Sequence, residues 1–448
     1  MHVHPSVLIS LLLLSLAAAR PLQAEPVDLP TVLRSALSAR PFAQAASAEA
    51  EAAAAAVGEA KSRYLPRLTL SENFQLTDEP GGSLFIALNQ QNLQLSPSAD
   101  PYNFPPSRRD FETRLTLDQP LFDLEIGYGR KRAEKAAEAA QAAASWSGEE
   151  AAFAGFRAYL QLQQADGAQA WAVSSRQLAE EVHRLAEERR ASGVGLKADA
   201  LQAAVALAEA RQREASAASD QEIARLALAL AMGRSGGELR LAAPITPELF
   251  AELPNPQPGA RADLSAMARQ SEAAELAYRQ ARSDYLPRAG LSASYALHDS
   301  SVPFGAEAES YRLMAGLRWE LFDGLRRSKA SEVAAANQRS AQLRSLEATR
   351  QAGFDLEEAK ARAAVAQLNL QTARQAALQA EEGRRLLQER YAAGLSELAE
   401  LLAAQAALDR ARFGVVEGET RLLLALGAIR FQSGQFVQSL LPAEEIQP

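Results

Sequence analysis

The sequence predicts a mainly α-helical chain that also carries a membrane β-structure and cannot complete that structure alone. Three observations lead there. Proline is absent from Leu121 through Ala243 and again from Leu321 through Arg390. The second stretch, 70 residues as one α-helix, would span about 105 Å, far beyond the needs of a compact domain. Four further stretches alternate apolar and polar side chains with period two. Finally, the order of parts repeats: Tyr64-Leu65-Pro66 returns as Tyr285-Leu286-Pro287, 221 positions on, and Leu121-Phe122-Asp123 as Leu321-Phe322-Asp323, 200 positions on. Gly193 returns as Gly394, 201 positions on, so the rods keep their length while the first hairpin loop is about 20 residues longer.

Composition narrows the class. The 448 residues carry no cysteine, a net charge of −8 and only 6% aromatics. Abundant Ala, Glu, Arg, Gln and Leu favour long helices that approach closely. An acidic chain without a basic stripe argues against nucleic acid as a partner. Residues 1–24 read as an export signal: Val7 to Leu16 is almost wholly apolar, too short to span a bilayer, and cleavage is expected after Ala24. Lacking cysteine, the exported chain has no lipidated N-terminal cysteine.

The first repeat is expected over residues 25–243. Asp28 or Thr31 caps an opening helix with Pro30 in its first turn, and an alanine-rich run from Pro41 ends before Pro66. Strands follow at about 65–76 and 111–121. Leu68, Leu70, Phe74 and Leu76 line one face of the first, with Glu72 the one interruption, and Phe111, Thr113, Leu115 and Leu117 line one face of the second. Between them lies a polar loop, Thr77 to Arg109. Long helices are expected at about 124–191 and 198–232, with the turn at Gly193 and Gly195. A Pro-rich linker, 244–260, separates this half from the second repeat, 261–430. There, strands are expected at about 287–298 and 311–321 and long helices at about 324–390 and 397–427. A C-terminal tail, 431–448, closes the chain.

Runs of about ten alternating residues suit tilted membrane strands, apolar side chains toward lipid and polar ones toward a lumen. Four strands cannot close a barrel, and open edges are very costly in hydrocarbon, so several chains must share one barrel. Two soluble hairpins on a sandwich are the competing reading, but no complementary apolar sheet is present.

With Arg261-Ala262-Asp263-Leu264 and Ala281-Arg282-Ser283-Asp284 ahead of the second Tyr-Leu-Pro, the duplicated chain resembles the TolC-type outer membrane efflux protein family over essentially its whole mature length. The resemblance implies a homotrimer whose twelve strands form a β-barrel in the outer membrane. A periplasmic α-helical barrel would continue it, the linker and tail forming a belt. The implied partners are sister subunits, outer membrane lipid, a periplasmic membrane-fusion adaptor and an inner-membrane pump. The implied function is a passive duct of a tripartite efflux system for small molecules, drugs or ions. The exit duct of a type I protein secretion system is the alternative, and a periplasmic coiled-coil adaptor or scaffold the alternative of another class.

No catalytic constellation emerges, so neither enzyme activity nor a cofactor is expected. His183 and His298, the histidines beyond the signal, lack ligand spacing with acids and read as a solvated helix residue and a loop-side residue. The candidate site lies at the tip turns. Gly193, Gly195 and Gly394 read as chain reversals, which by resemblance meet the adaptor. Asp199 and Glu400 follow their glycines by six positions; by resemblance they line a periplasmic constriction, six carboxylates in a trimer. Tyr391 matches a family tyrosine that holds the closed state by contacting the first-repeat acid, here Asp199, whereas Ser396 and Ala403 stand where well-known members have an arginine and a second acid. Tyr311 and Trp319 are expected at the membrane interface. The cations Arg130, Lys131, Arg132, Arg326, Arg327 and Lys329, just past the strands, are candidate contacts for lipid headgroups.

Overall fold

The computed structural model describes residues 25–251 and 261–441; residues 1–24, where an export signal is expected, part of the expected linker and the last seven residues lie outside the described residues. The chain divides into two compact units.

The first unit comprises Glu49–Gln141 and Leu264–Ala348. Its centre is a four-stranded antiparallel sheet of β2 (Arg67–Thr77), β3 (Arg108–Phe122), β5 (Arg288–Asp299) and β6 (Ala308–Arg318), in the order β2-β3-β5-β6. Each hairpin pairs within itself, and β3 joins β5 across the two repeats, from Phe111 opposite Asp299 to Phe122 opposite Ala289. The pairing slips once, between Pro120 and Phe122, because proline has no N–H to give the ladder. Among the described residues, strands β2 and β6 keep one edge each without a partner strand. Leu68, Leu70, Leu313 and Leu317 all stand exposed, since nothing among the described residues covers them.

Two details depart from the sequence expectation. Strand β6 ends at Arg318, three residues short of Leu321. Gly324 and Leu325 both take left-handed φ angles there, and Arg327 draws the chain in by donating to the carbonyl oxygens of Glu320 and Asp284 (2.6 and 3.2 Å). Its guanidinium also pairs with Asp323 at 3.0 Å and lies over the Tyr285 ring. Arg327 is therefore buried and occupied, which removes it from the headgroup candidates. The long loop between β2 and β3 is not irregular throughout: it holds α3 (Pro80–Asn89) and α4 (Asp100–Asn103). Proline in the first turn of each satisfies the helix start.

The second unit comprises the remaining described residues, and four of the helices introduced below, Pro41–Ser62, Leu124–Ala191, Ala262–Ser283 and Arg326–Ala392, are shared in sequence with the first unit. It opens with β1 (Glu25–Val27), which pairs in parallel with β4 (Leu239–Leu241), a pairing that three-residue segments do not announce in sequence. Helix α1 (Leu29–Ala39) is capped by Asp28, whose carboxylate accepts the Thr31 N–H at 3.0 Å. It breaks at Arg40, ahead of Pro41, and α2 (Pro41–Ser62) follows. Helix α5 (Leu124–Ala191) is continuous over 68 residues and returns as α6 (Lys197–Ala231). After α7 (Glu248–Ala251) and α8 (Ala262–Ser283), α9 (Arg326–Ala392) runs for 67 residues and returns as α10 (Leu398–Gln432). The short α11 (Phe436–Leu440) ends the described chain.

The core of this unit gathers Val32, Leu33, Phe156, Tyr159, Leu160, Leu162, Leu228 and Phe436 around the middle of α5. Gly427 on α10 faces Phe156 so closely that a Cβ would strike its ring, so glycine sets the approach of these two helices. Tyr159 sends its hydroxyl to the Ala243 carbonyl oxygen at 2.6 Å, which satisfies the polar end of a buried aromatic.

Candidate functional site at the helical turns

Both rods reverse by the same hydrogen-bond pattern. At the end of α5, the Val194 N–H reaches back to the Arg189 carbonyl oxygen and the Gly193 N–H to that of Arg190, each at 3.1 Å. At the end of α9, the Leu395 N–H reaches Arg390 at 2.8 Å and the Gly394 N–H reaches Tyr391 at 3.0 Å. This paired closure requires a left-handed residue between helix and turn, and Gly193 (φ 77°) and Gly394 (φ 75°) supply it. Gly195 is required for another reason. A Cβ there would lie 2.8 Å from the backbone of Arg189 and Arg190, so the turn closes on its bare Cα. Its counterpart in the second repeat is Ser396, whose hydroxyl donates to the Leu387 carbonyl oxygen at 3.5 Å.

A small core holds the turns together: Val182, Ala186, Ala203, Leu398, Leu401 and Tyr391. Tyr391 is only 2% exposed. Arg189 of α5 places its guanidinium over the Tyr391 ring, 4.8 Å from the centroid, and donates to the Tyr391 carbonyl oxygen. Burial pushes the Tyr391 phenol up, the Asp199 carboxylate pushes the same way, and the Arg189 charge opposes both. The phenol hydroxyl has no hydrogen-bond partner among the described residues, so Asp199 acts on Tyr391 through its field, without a direct bond. Asp199 and Glu400 both stand in the first turn of a returning helix, where the helix dipole favours a carboxylate.

Arg189 escaped the sequence reading, although a signal existed. Shifted by the repeat spacing of 201 it becomes Arg390, so both rods end in arginine at one position. The two then differ: Arg390 donates to Leu395 of its own turn at 3.3 Å, whereas Arg189 crosses to the other rod. Around the turns Val194, Leu196 and Leu395 are each about 70% exposed, apolar side chains held at the surface.

Within the sheet unit, Tyr311 is fully outward and Trp319, just past β6, donates its indole N–H to the Tyr285 carbonyl oxygen at 3.1 Å. His298 is not a loop-side residue. It is buried at the end of β5, with Nδ1 2.8 Å from the Asp110 carboxylate. Among the described residues no group of three or more His, Cys, Asp or Glu side chains could hold a metal ion, and no helix is long and apolar enough to cross a membrane.

A family model described as outer membrane efflux protein matches residues 32–234 and 259–435. Among curated protein sequences no relative matches the chain. Solved structures do. The outer membrane protein VceC from Vibrio cholerae superposes with a TM-score of 0.75 at 19% identity, covering 91% of this chain and 96% of that one. The Campylobacter jejuni CmeC outer membrane channel gives 0.77 at 16% identity, with 93% and 88% covered. The Neisseria gonorrhoeae MtrE outer membrane channel, in its open state, gives 0.74 at 17% identity, with 91% and 89% covered.

Proposed function

Since this chain belongs to the outer membrane efflux protein family, we propose that three copies close one twelve-stranded barrel in the outer membrane. They would serve as the passive exit duct of a tripartite efflux system for small molecules, drugs or ions. The observation that carries the reading is the sheet of four strands with two unpartnered edges and an exposed apolar face. Four is an even number and every pair is antiparallel, so β6 of one copy runs antiparallel to β2 of the next and the ring closes without a mismatch. Closure removes the edges, and lipid covers Leu68, Leu70, Leu313 and Leu317. The helical unit also asks for neighbours: Phe354, Val365, Leu368 and Leu378 on α9 stand exposed.

In this reading the helical turns form the periplasmic end. Asp199 and Glu400 from three copies ring a narrow opening that favours cations and repels anions. Arg189 and Tyr391 hold the two turns of each copy together. The adaptor meets Gly193, Gly195 and Gly394 with the exposed Val194, Leu196 and Leu395 around them, and the pump supplies cargo from the inner membrane. Tyr311 and Trp319 sit at the lipid interface.

Light scattering of the purified protein in detergent tests the assembly: three chains per particle are expected, with heat-modifiable migration from outer membrane fractions. A single chain, monodisperse in water and indifferent to detergent, would overturn it.

A further inference from the structure

At its loop end the sheet is covered on its polar face, the face that the duct reading turns toward the lumen. Asp110, Ala296, His298 and Ala308 all belong to that face by strand parity, and all are buried, whereas Thr69, Ser310 and Arg312 of the same face are exposed. The cover is α3, which packs on β3 and β6. Its Ser83, Ile86 and Ala87 turn toward the sheet and are at most 3% exposed. A side chain at Gly82 would meet Thr77 and Gln75, so the helix starts pressed against the end of β2.

Polar contacts fix the helix there. Gln90, at its C-terminal cap, donates to the Asp110 carboxylate at 2.9 Å and to the Arg109 carbonyl oxygen at 2.8 Å. The other oxygen of Asp110 meets His298 of β5, so one buried carboxylate ties α3 to two strands from different repeats. Gln91 adds a bond to the Glu309 carbonyl oxygen of β6 at 3.2 Å. The opposite face of α3 is apolar and free: Phe85 is 66% and Leu88 47% exposed.

We propose that α3 lies inside the outer mouth of the assembled barrel, and that Phe85 and Leu88 from three copies meet near its axis as an apolar iris. The inference rests on the duct reading, which supplies the three-fold assembly. Twelve strands about 4.8 Å apart and tilted about 40° enclose a backbone cylinder of roughly 12 Å radius. A helix with its side chains is about 10–12 Å across, so one laid on the inner wall carries its free face to the axis. An apolar ring at that place resists wetting and holds back small polar solutes and ions until cargo parts it. It is a second constriction, distinct from the one that the duct reading places at the helical turns.

The chain has no cysteine, so a single introduced thiol reports without background. Phe85→Cys, and Leu88→Cys as a second variant, are placed in trimers in lipid bilayers and oxidised with copper phenanthroline. Three thiols at an axis link two of every three subunits, so the disulfide-bonded dimer should rise from none to about two-thirds of the chains. A bilayer-confined maleimide should leave both thiols unlabelled. Intact trimers whose thiols stay unlinked, or react from the lipid, refute the iris and leave the duct standing. A particle that is not trimeric refutes the duct and the iris with it.

Discussion

Replacing Arg189 with alanine is the sharpest test of how the helical turns are held. The substitution removes the guanidinium over the Tyr391 ring and its bond to the Tyr391 carbonyl oxygen. A cation over a buried aromatic contributes about 0.5–2 kcal/mol, and a hydrogen bond from a charged donor about 1.5–3 kcal/mol. The two share one side chain and do not simply add, so a loss of about 2–3 kcal/mol per copy is expected at this junction. At 1.4 kcal/mol per tenfold, that shifts a closed-to-open balance by roughly 30- to 140-fold wherever opening parts the two turns. The side chain lies on α5 and its targets 202 positions on, so the loss falls on the seam between the two repeats within one chain. Single-channel recording in planar bilayers is the assay: Arg189→Ala should show higher mean conductance and longer openings than the parent. Arg189→Lys keeps the charge without the planar stack and should fall between them. Unchanged conductance in Arg189→Ala, with trimers intact, would refute the assignment of this contact to closure.

Two further outcomes follow from the geometry. Gly195→Ala puts a Cβ against the Arg189 and Arg190 backbone and should cost about 1–3 kcal/mol at the turn; the thermal melting temperature should fall, while Ser396→Ala at the equivalent turn stays near neutral, and equal effects would contradict the reading. Burial pushes the Glu149 carboxyl up, against which the Val437 and Phe436 N–H groups pull it down. Its folded form therefore holds its proton to higher pH than its unfolded form, so its ionisation destabilises the fold as pH rises through the interval above the ordinary glutamate value. Glu149→Gln should match the parent in acid and melt higher near neutral pH; a gap that shrinks as pH rises would overturn that sign.

The elements that sequence revealed are those written in short-range chemistry. Helix period, proline and glycine punctuation and strand alternation are properties of neighbouring residues, and duplication displays each of them twice. Thus Leu124–Ala191 forms one helix, Asp28 caps another, and the four alternating runs pair as hairpins. The exact end of β6 was not legible in that way, because Arg327 sets it through backbone oxygens of residues that alternation alone would continue as strand.

What only the tertiary structure decided is the set of contacts between residues far apart in the chain. Arg189 reaches Tyr391, and Asp110 joins Gln90 to His298, across separations at which no periodicity survives. The parallel pairing of β1 with β4 and the folding of α3 onto the polar face of the sheet belong with them. The sequence determined that the chain is a duplicated set of rods and strands with edges it cannot satisfy by itself. The tertiary structure decided which side chains bind the turns and cover the sheet, because burial and direction are settled only when distant segments occupy the same space.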